Sequence, residues 1–400
     1  MKSKILIIFL AVTLAVSPVL LSVRETLAQN TLKIGSLSAL TGRFSPGEGP
    51  LNEGERMAVE WINEKGGITI KGQRYLLELV TEDSKSSGEG MISAATKLVY
   101  GQNIKFTVGG IDAEENVAAN SVTVPAGVIR LLHWMCLGPK EVGPDTPLTF
   151  TNNCLFEGMR PSLTYLKEVA PTAKTLAWLA PEDGGIPTSA KYFNPIAKEY
   201  GFEVIYYAGY PLSTVDFIPY VTKALNTKPD VLFLINGWSF MMGSILKAAR
   251  GLGYKGPCFS VNSTYTGDVI QIAGVKESEG FFSPCWDPLS PKMPPIMAEI
   301  AKRHYAKFGK DNPNIFLHSS GFFGPWALVQ AIESAQSLDP VVVGKHWQTM
   351  KTIETICGTG KMGGLKSIGI NNIVCVPQWI QQVRNGKPEI IRCFGADHTP

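Results

Sequence analysis

Short apolar runs and longer amphipathic stretches take turns along this chain. That alternation predicts βαβ units around parallel sheets. Leu32–Leu37 reads as a strand. Asn52 followed by Glu55 forms a capping-box pattern, and Leu51, Gly54, Ala58 and Trp61 share one helical face before Gly66-Gly67 stops the helix. Tyr75–Val80 is the next strand. A helix opens at Ser86 with Glu89 and runs through Leu98. Strand Phe106–Val108, helix Glu114–Val122 and strand Val128–Leu132 complete one open-sheet lobe.

A stretch rich in glycine and proline follows: Gly138-Pro139, Gly143-Pro144 and Pro147. A second alternating series then starts with a helix over Pro161–Val169. It continues through strand Thr175–Leu179, helix Thr188–Tyr200, strand Glu203–Tyr207, helix Phe217–Leu225 and strand Val231–Ile235. Helix Phe240–Arg250 and strand Phe259–Val261 close it. The all-apolar run Val231–Ile235 is the signature of a parallel strand buried on both faces. The layout matches the first series, so two similar α/β lobes are expected. The tail carries helices Pro295–Phe308 and Ser320–Ala335, then strand-like runs Ile373–Gln381 and Glu389–Arg392 joined by the hairpin turn Asn385-Gly386. It is too short for a third lobe and is expected to complete the first two. The lobes are thus assigned to 30–152 with 286–355, and to 153–285 with 356–400.

The N-terminus pairs a basic start, Met1-Lys2-Ser3-Lys4, with an apolar run from Ile5 to Leu21 and the small-residue site Thr26-Leu27-Ala28. This predicts a cleaved export signal over 1–28 rather than a membrane anchor. No cysteine near the cleavage site supports a lipoprotein. With 44% hydrophobic and 18% charged residues, the rest can bury two sizeable cores. A net charge of +3 and the lack of a basic stripe argue against a nucleic-acid partner. The chain has 7 cysteines and no CxxC pair, which predicts three disulfides and one free thiol in an oxidising compartment. Nearest-neighbour pairing gives Cys136–Cys154 and Cys258–Cys285, with the third pair drawn from Cys357, Cys375 and Cys393. Buried free thiols are the alternative.

Ligands of open parallel sheets bind beyond the carboxyl ends of the strands. That rule selects Ser38, Thr41, Arg43 and Phe44 after the first strand, Asp83 after the second, Asp112 and Ala113 after the third, and His133 and Trp134 after the fourth. The second lobe offers Asp183 to Ile186, Tyr210, Trp238, Asn262 and Ser263, and Trp286 follows a crossing back. Aromatic, hydroxyl and amide groups on two facing rims suit a small organic molecule. Each residue also has a structural reading. Asp112 can be a helix N-cap, Asp83 a turn residue, His133 a core histidine, the tryptophans core, and Arg43 a solvated charge. Signatures of serine hydrolases, zinc proteases and P-loops are absent. Gly358-Thr359-Gly360-Lys361-Met362-Gly363 has the dinucleotide-loop spacing but neither a good strand before it nor a capped helix after it. No cofactor or metal is expected.

The blocks IGSLSALTG, EGERMAVEWINEKGGI, LELVTEDSKS, FTVGG, PAGVIRLL, PDVLFLING, ILKAARGLG and QVRNGKPEII resemble the periplasmic solute-binding proteins of branched-chain amino acid ABC transporters, from about residue 31 to 392. The resemblance implies a type I, Venus-flytrap fold: two Rossmann-like lobes joined by three crossovers that act as a hinge. It implies a ligand held between the lobes, no catalysis, a monomer in the periplasm and delivery to a membrane permease. In the amino-acid binders a serine pair, an alanine/threonine turn and a Tyr-Gly motif line the site. This chain has Asp112-Ala113-Glu114, His133-Trp134-Met135 and Asp183-Gly184-Gly185-Ile186-Pro187 at those places. A carboxylate facing the cleft would repel a ligand carboxylate, so a cationic, amide or polyol-like ligand is then favoured. If Asp112 and Glu114 only cap the helix, an aromatic or aliphatic acid held by Arg43, His133 and helix-start amides fits. The tryptophans suit a flat or apolar ligand body. Two other functions are weighed: a ligand sensor on the same scaffold, and an exported hydrolase using an Asp112/His133 pair.

Overall fold

The computed structural model describes residues 30–133, 138–152, 155–182, 186–235, 237–261 and 265–398. The chain begins with β1 (Asn30–Ser38), α1 (Ser45–Glu64), β2 (Ile68–Ile70), β3 (Gln73–Asp83), α2 (Gly88–Thr96), β4 (Phe106–Gly109), α3 (Ala113–Thr123), β5 (Ile129–Leu132) and β6 (Thr149–Thr151). It crosses to a second sheet through α4 (Leu155–Val169). There follow β7 (Thr175–Pro181), α5 (Ile186–Glu199), β8 (Glu203–Tyr210), α6 (Ile218–Asn226), β9 (Val231–Leu234), α7 (Ser239–Gly251), β10 (Cys258–Ser260), α8 (Thr266–Ala273), α9 (Val275–Ser278) and β11 (Phe282–Pro284). It crosses back through α10 (Pro295–Phe308), α11 (Ile315–Ala335), α12 (Pro340–Trp347), β12 (Ile353–Thr355), β13 (Gly358–Gly363), α13 (Leu365–Ile368) and β14 (Ile373–Cys375). The third crossing leads to the hairpin β15 (Gln378–Arg384) and β16 (Lys387–Phe394).

The first sheet has the order β12-β13-β14-β6-β5-β4-β1-β3-β2 and the second β16-β15-β11-β10-β9-β7-β8. The central pairs of both are parallel. Helices cover both faces of each sheet because central strands such as β4, β5 and β9 are buried throughout. One core packs α1, α10, α11 and α12 on the first sheet, and a smaller one packs α2 and α3 on its other face. The second sheet has α4 and α5 on one side and α6, α7 and α8 on the other. The core under α4 also takes in Leu132, Ile373 and Cys375, so apolar packing is continuous beneath the crossings.

Three details differ from the sequence reading. β13 and β14 pair in the first sheet, so residues 356–375 stay with it and only the chain from Gln378 joins the second. The glycine-rich stretch Gly358–Gly363, read from sequence as an irregular segment and already set aside as a phosphate loop, is strand β13. Finally, α1 starts at Ser45, well before Asn52.

The cysteine pairing is corrected as well. Cys258, Cys285, Cys357, Cys375 and Cys393 are free thiols, which excludes a Cys258–Cys285 bridge and a pair among the last three. The reason is placement: Cys258, Cys357 and Cys375 belong to three different apolar cores. Burial pushes the Cys258 thiol up to about 12, and raises Cys285 and Cys357 also, so these thiols stay protonated and inert. Cys136 and Cys154 lie outside the described residues, as does the expected export signal.

Candidate functional site

Register places the strand ends of the first sheet at one edge. Ser38 of β1 stands beside Asp83 of β3, Leu37 beside Gly109 of β4, and Leu132 of β5 beside Thr151 of β6. In the second sheet Pro181 lies beside Tyr210, and Leu179 beside Leu234. The two edges meet at defined points. Trp238, at the start of α7, closes on the first turn of α1, where a Cβ on Gly47 would fall 2.9 Å from the indole. On the return crossing, Trp286 stacks on Phe316 of α11 with ring centres 4.6 Å apart, and its Nε1 donates to Ser319 Oγ at 3.1 Å. Tyr265 of the second lobe also stacks on Phe316, with ring centres 6.2 Å apart. A shallow depression of about 290 Å³ opens beside Trp238, between Ser239, Phe240, Asp268, Gln271 and Ile272. Burial pushes the Asp268 carboxyl above its ordinary value, against a hydrogen bond from Ser239.

The first-lobe rim divides into an exposed lip and a buried network. On the lip, Thr41 Oγ1 donates to Asp83 Oδ2 at 2.7 Å, while the N–H groups of Leu40, Thr41 and Lys85 donate to Asp83 Oδ1. Partial burial raises the Asp83 carboxyl, but these bonds outweigh it and hold it below its ordinary range. Arg43 is exposed and lies over the Phe44 ring, 4.5 Å from its centre. Phe44 is buried, and its N–H donates to Ser86 Oγ at 3.0 Å. Thr41, Arg43 and Phe44 therefore form one loop at the mouth.

Beneath the lip, Ser38 does not reach the cleft. It is fully buried, and its Oγ lies 2.9 Å from Ser36 Oγ, which accepts from Asn52 Nδ2 at 2.8 Å. Asn52 also donates to Glu55 Oε2 at 2.7 Å, so it is a linker inside the network and not the N-cap its sequence context suggests. His133 is likewise internal. Its Nε2 approaches Glu55 Oε1 to 2.6 Å with both side chains fully buried, and its Nδ1 has no hydrogen-bond partner among the described residues. Burial alone would depress this imidazole; the Glu55 carboxylate, then Glu48, outweigh burial and raise it. With Nε2 committed to Glu55 and the ring buried, His133 lies behind the rim and not on its surface.

Asp112 is the N-cap of α3, accepting from the N–H groups of Glu114 and Glu115 at 3.0 and 3.2 Å. Ala113 is half-buried and packs against the second-lobe core. Asp112 and His133 are thus each committed elsewhere, which removes the hydrolase reading. Trp134, Asp183, Asn262 and Ser263 lie outside the described residues; Ile186 begins α5.

Sequence reasoning missed the acids that dominate this rim. Glu48, Asn52 and Glu55 recur at i, i+4 and i+7 on the buried stripe of α1. Polar residues at core positions of an amphipathic helix were the available signal. Burial pushes Glu48 up to about 7 despite hydrogen bonds from Ala39 and Ile111. Glu115, whose Oε1 accepts from Ser84 Oγ at 2.9 Å, is pushed up to about 8 by burial and then by Glu48. Nearby, Arg130 is almost fully buried and donates to Asn116 O and Asn120 Oδ1 at 3.0 and 2.9 Å; burial lowers it to about 10. Tyr265 and Phe316 were also missed, because each is a single aromatic in a loop or first helical turn.

Comparison with known proteins fits this architecture. The chain is 24% identical over 336 residues to "Leu/Ile/Val-binding protein homolog 8" of Brucella abortus (strain 2308), covering 79% of each. A leucine-binding protein from Thermotoga maritima superposes with a TM-score of 0.73 at 19% identity, over 92% of this chain and 99% of that one. A solute-binding protein of an ABC transporter from R. palustris, solved with 4-hydroxybenzoate, superposes at 0.72 with 17% identity, over 92% and 97%. Both share the type I periplasmic binding fold. The family model described as "Periplasmic binding protein" matches residues 31–387, so the chain belongs to that family of non-enzymatic ligand binders.

Proposed function

We propose that this protein is exported to the periplasm and, as a monomer, captures a small solute with a flat apolar body between its lobes for the permease of an ABC importer. The observation that carries the reading is the set of aromatic side chains where the two strand edges meet: Trp238 against Gly47, and the Tyr265–Phe316–Trp286 stack at the crossing. Aromatic faces bury large area at fixed geometry and favour flat partners. The structural neighbour that holds 4-hydroxybenzoate supports the same ligand class. The N-terminal basic-apolar segment supports export, and among the described residues no helix is long and apolar enough to cross a membrane.

The three crossings supply the hinge, and lobe closure would exclude water from the ligand. In this reading Thr41, Arg43, Phe44, Trp238 and Trp286 meet the ligand, and Ser38, Asp112 and His133 support the scaffold behind it. A thermal-shift panel of aromatic acids, their amides, branched-chain amino acids and polyamines tests this. A ligand at a hundred times its dissociation constant stabilises by about 2.7 kcal/mol. Stabilisation by aromatic solutes is expected; stabilisation by polyamines alone, or by no solute, would reject the reading.

A further inference from the structure

Glu48 is fully buried in the first turn of α1. One carboxylate oxygen accepts from the Ala39 N–H, and the other accepts from the Ile111 N–H at 3.0 Å. Ala39 follows β1 and Ile111 follows β4, and these strands are parallel neighbours with Leu37 beside Gly109. Two backbone donors at adjacent strand ends thus converge on a single carboxyl group. Charge-assisted bonds from preorganised N–H groups are a standard way to hold a carboxylate. Here the carboxylate is the chain's own.

Its position is at the cleft. Gly47, the residue before it, meets Trp238 of the other lobe, and the Ile111 side chain lies 4.0 Å from the same point. We propose that Glu48 is a built-in substitute for a ligand carboxylate. It occupies the amide pair of the first lobe and so selects solutes that present no carboxylate there. This rests on the reading of the cleft as a solute site. A ligand carboxylate arriving at this point would find both donors taken and an acid already in place. Among the described residues the nearby cationic groups are already engaged, His133 with Glu55 and Arg130 with Asn116 and Asn120, and Glu115 is a second buried acid.

The test removes the built-in group and offers it back. Glu48→Ala and the wild-type protein are melted in formate, in formamide and in chloride at equal ionic strength. Formate should raise the melting temperature of the variant by about 3–6 °C in a saturable way, with formamide and chloride inert and the wild-type protein unresponsive. If the variant does not fold unaided, its refolding yield with and without formate reads the same outcome. An absent formate effect on the variant, or an equal effect on the wild-type protein, overturns the proposal. A wild-type protein that binds no solute would count against the solute-binding function, whereas the formate comparison judges Glu48 independently.

Discussion

The packing of α1 on α11 gives a sharp stability prediction, because glycines make that crossing possible. A Cβ on Gly54 would fall 2.2 Å from His318 O and 2.9 Å from both His318 C and Phe322 N. All three are backbone atoms, so no side chain can rotate away. An ordinary carbon–oxygen contact is about 3.3 Å or more, so Gly54→Ala forces the helices apart by roughly 1 Å. A gap of that size forfeits a quarter to a half of each dispersion contact across the crossing. Overpacking of this kind costs about 1–3 kcal/mol or more, against about 0.5–1 kcal/mol gained from alanine's helix propensity. The net expectation is a loss of up to about 2.5 kcal/mol, read from urea unfolding with the slope unchanged. Gly251→Ala is the matched control: this glycine ends α7 with open space around it, and the substitution should be neutral or stabilising by a few tenths of a kcal/mol. A Gly54→Ala variant as stable as the Gly251→Ala variant would refute the close-approach argument.

Other expectations concern the network, the thiols and the hinge. Glu55→Ala should cost about 3–5 kcal/mol in urea unfolding, since it strands His133 in the interior without its ion-pair partner; a loss below about 1 kcal/mol would contradict the pairing. The Glu115 carboxyl rises from 4.5 to about 8 on folding, so the folded state binds this proton more tightly and stability is lost as pH climbs through that window. Glu115→Gln should therefore flatten the pH–stability curve and be more stable than the wild-type protein at alkaline pH by about 1–2 kcal/mol after screening; identical curves would refute this. Of the five described cysteines only Cys393 is exposed, so in the native protein it should react with Ellman's reagent before the other four, which react on unfolding.

The sequence made the long, regular parts of the fold legible. Val231–Ile235 is apolar throughout and is β9 with one further residue, and helix Pro295–Phe308 has the bounds its periodicity indicates. The hairpin at Asn385-Gly386 also follows from its turn residues, both at positive φ. Short strands such as β6 and β12 carry too few residues to show a period, and β13 is masked by its glycines; the pairing of all three is decided by the chain that lies beside them. The start of α1 was hidden for another reason. Pro46, Gly47, Gly49 and Pro50 argue locally for a loop, yet Glu48 fastens this turn to Ala39 and Ile111, and tertiary contact overrides propensity.

The site was legible as a rim but not as a set of roles. Strand-end reasoning selected one edge of the first sheet, where Thr41, Arg43 and Phe44 share one loop. It could not separate residues pointing into the cleft from those turned beneath it. Ser38 and His133 are both buried: Ser36 of β1 claims the first and Glu55 of α1 the second. The acids Glu48 and Glu55 sit on a helix stripe, where sequence reading looks for core and not for chemistry.

The central claim is that flat solutes are held between aromatic side chains contributed at the meeting of the lobes. Titration calorimetry of the aromatic solute that most stabilises the wild-type protein, repeated with Trp238→Ala and Trp286→Ala, tests it most directly. The account predicts one-to-one binding with a negative heat-capacity change, and an affinity loss of tenfold or more in at least one variant, equivalent to about 1.4 kcal/mol or more. Unchanged affinity in both variants, or a heat-capacity change near zero, would contradict it.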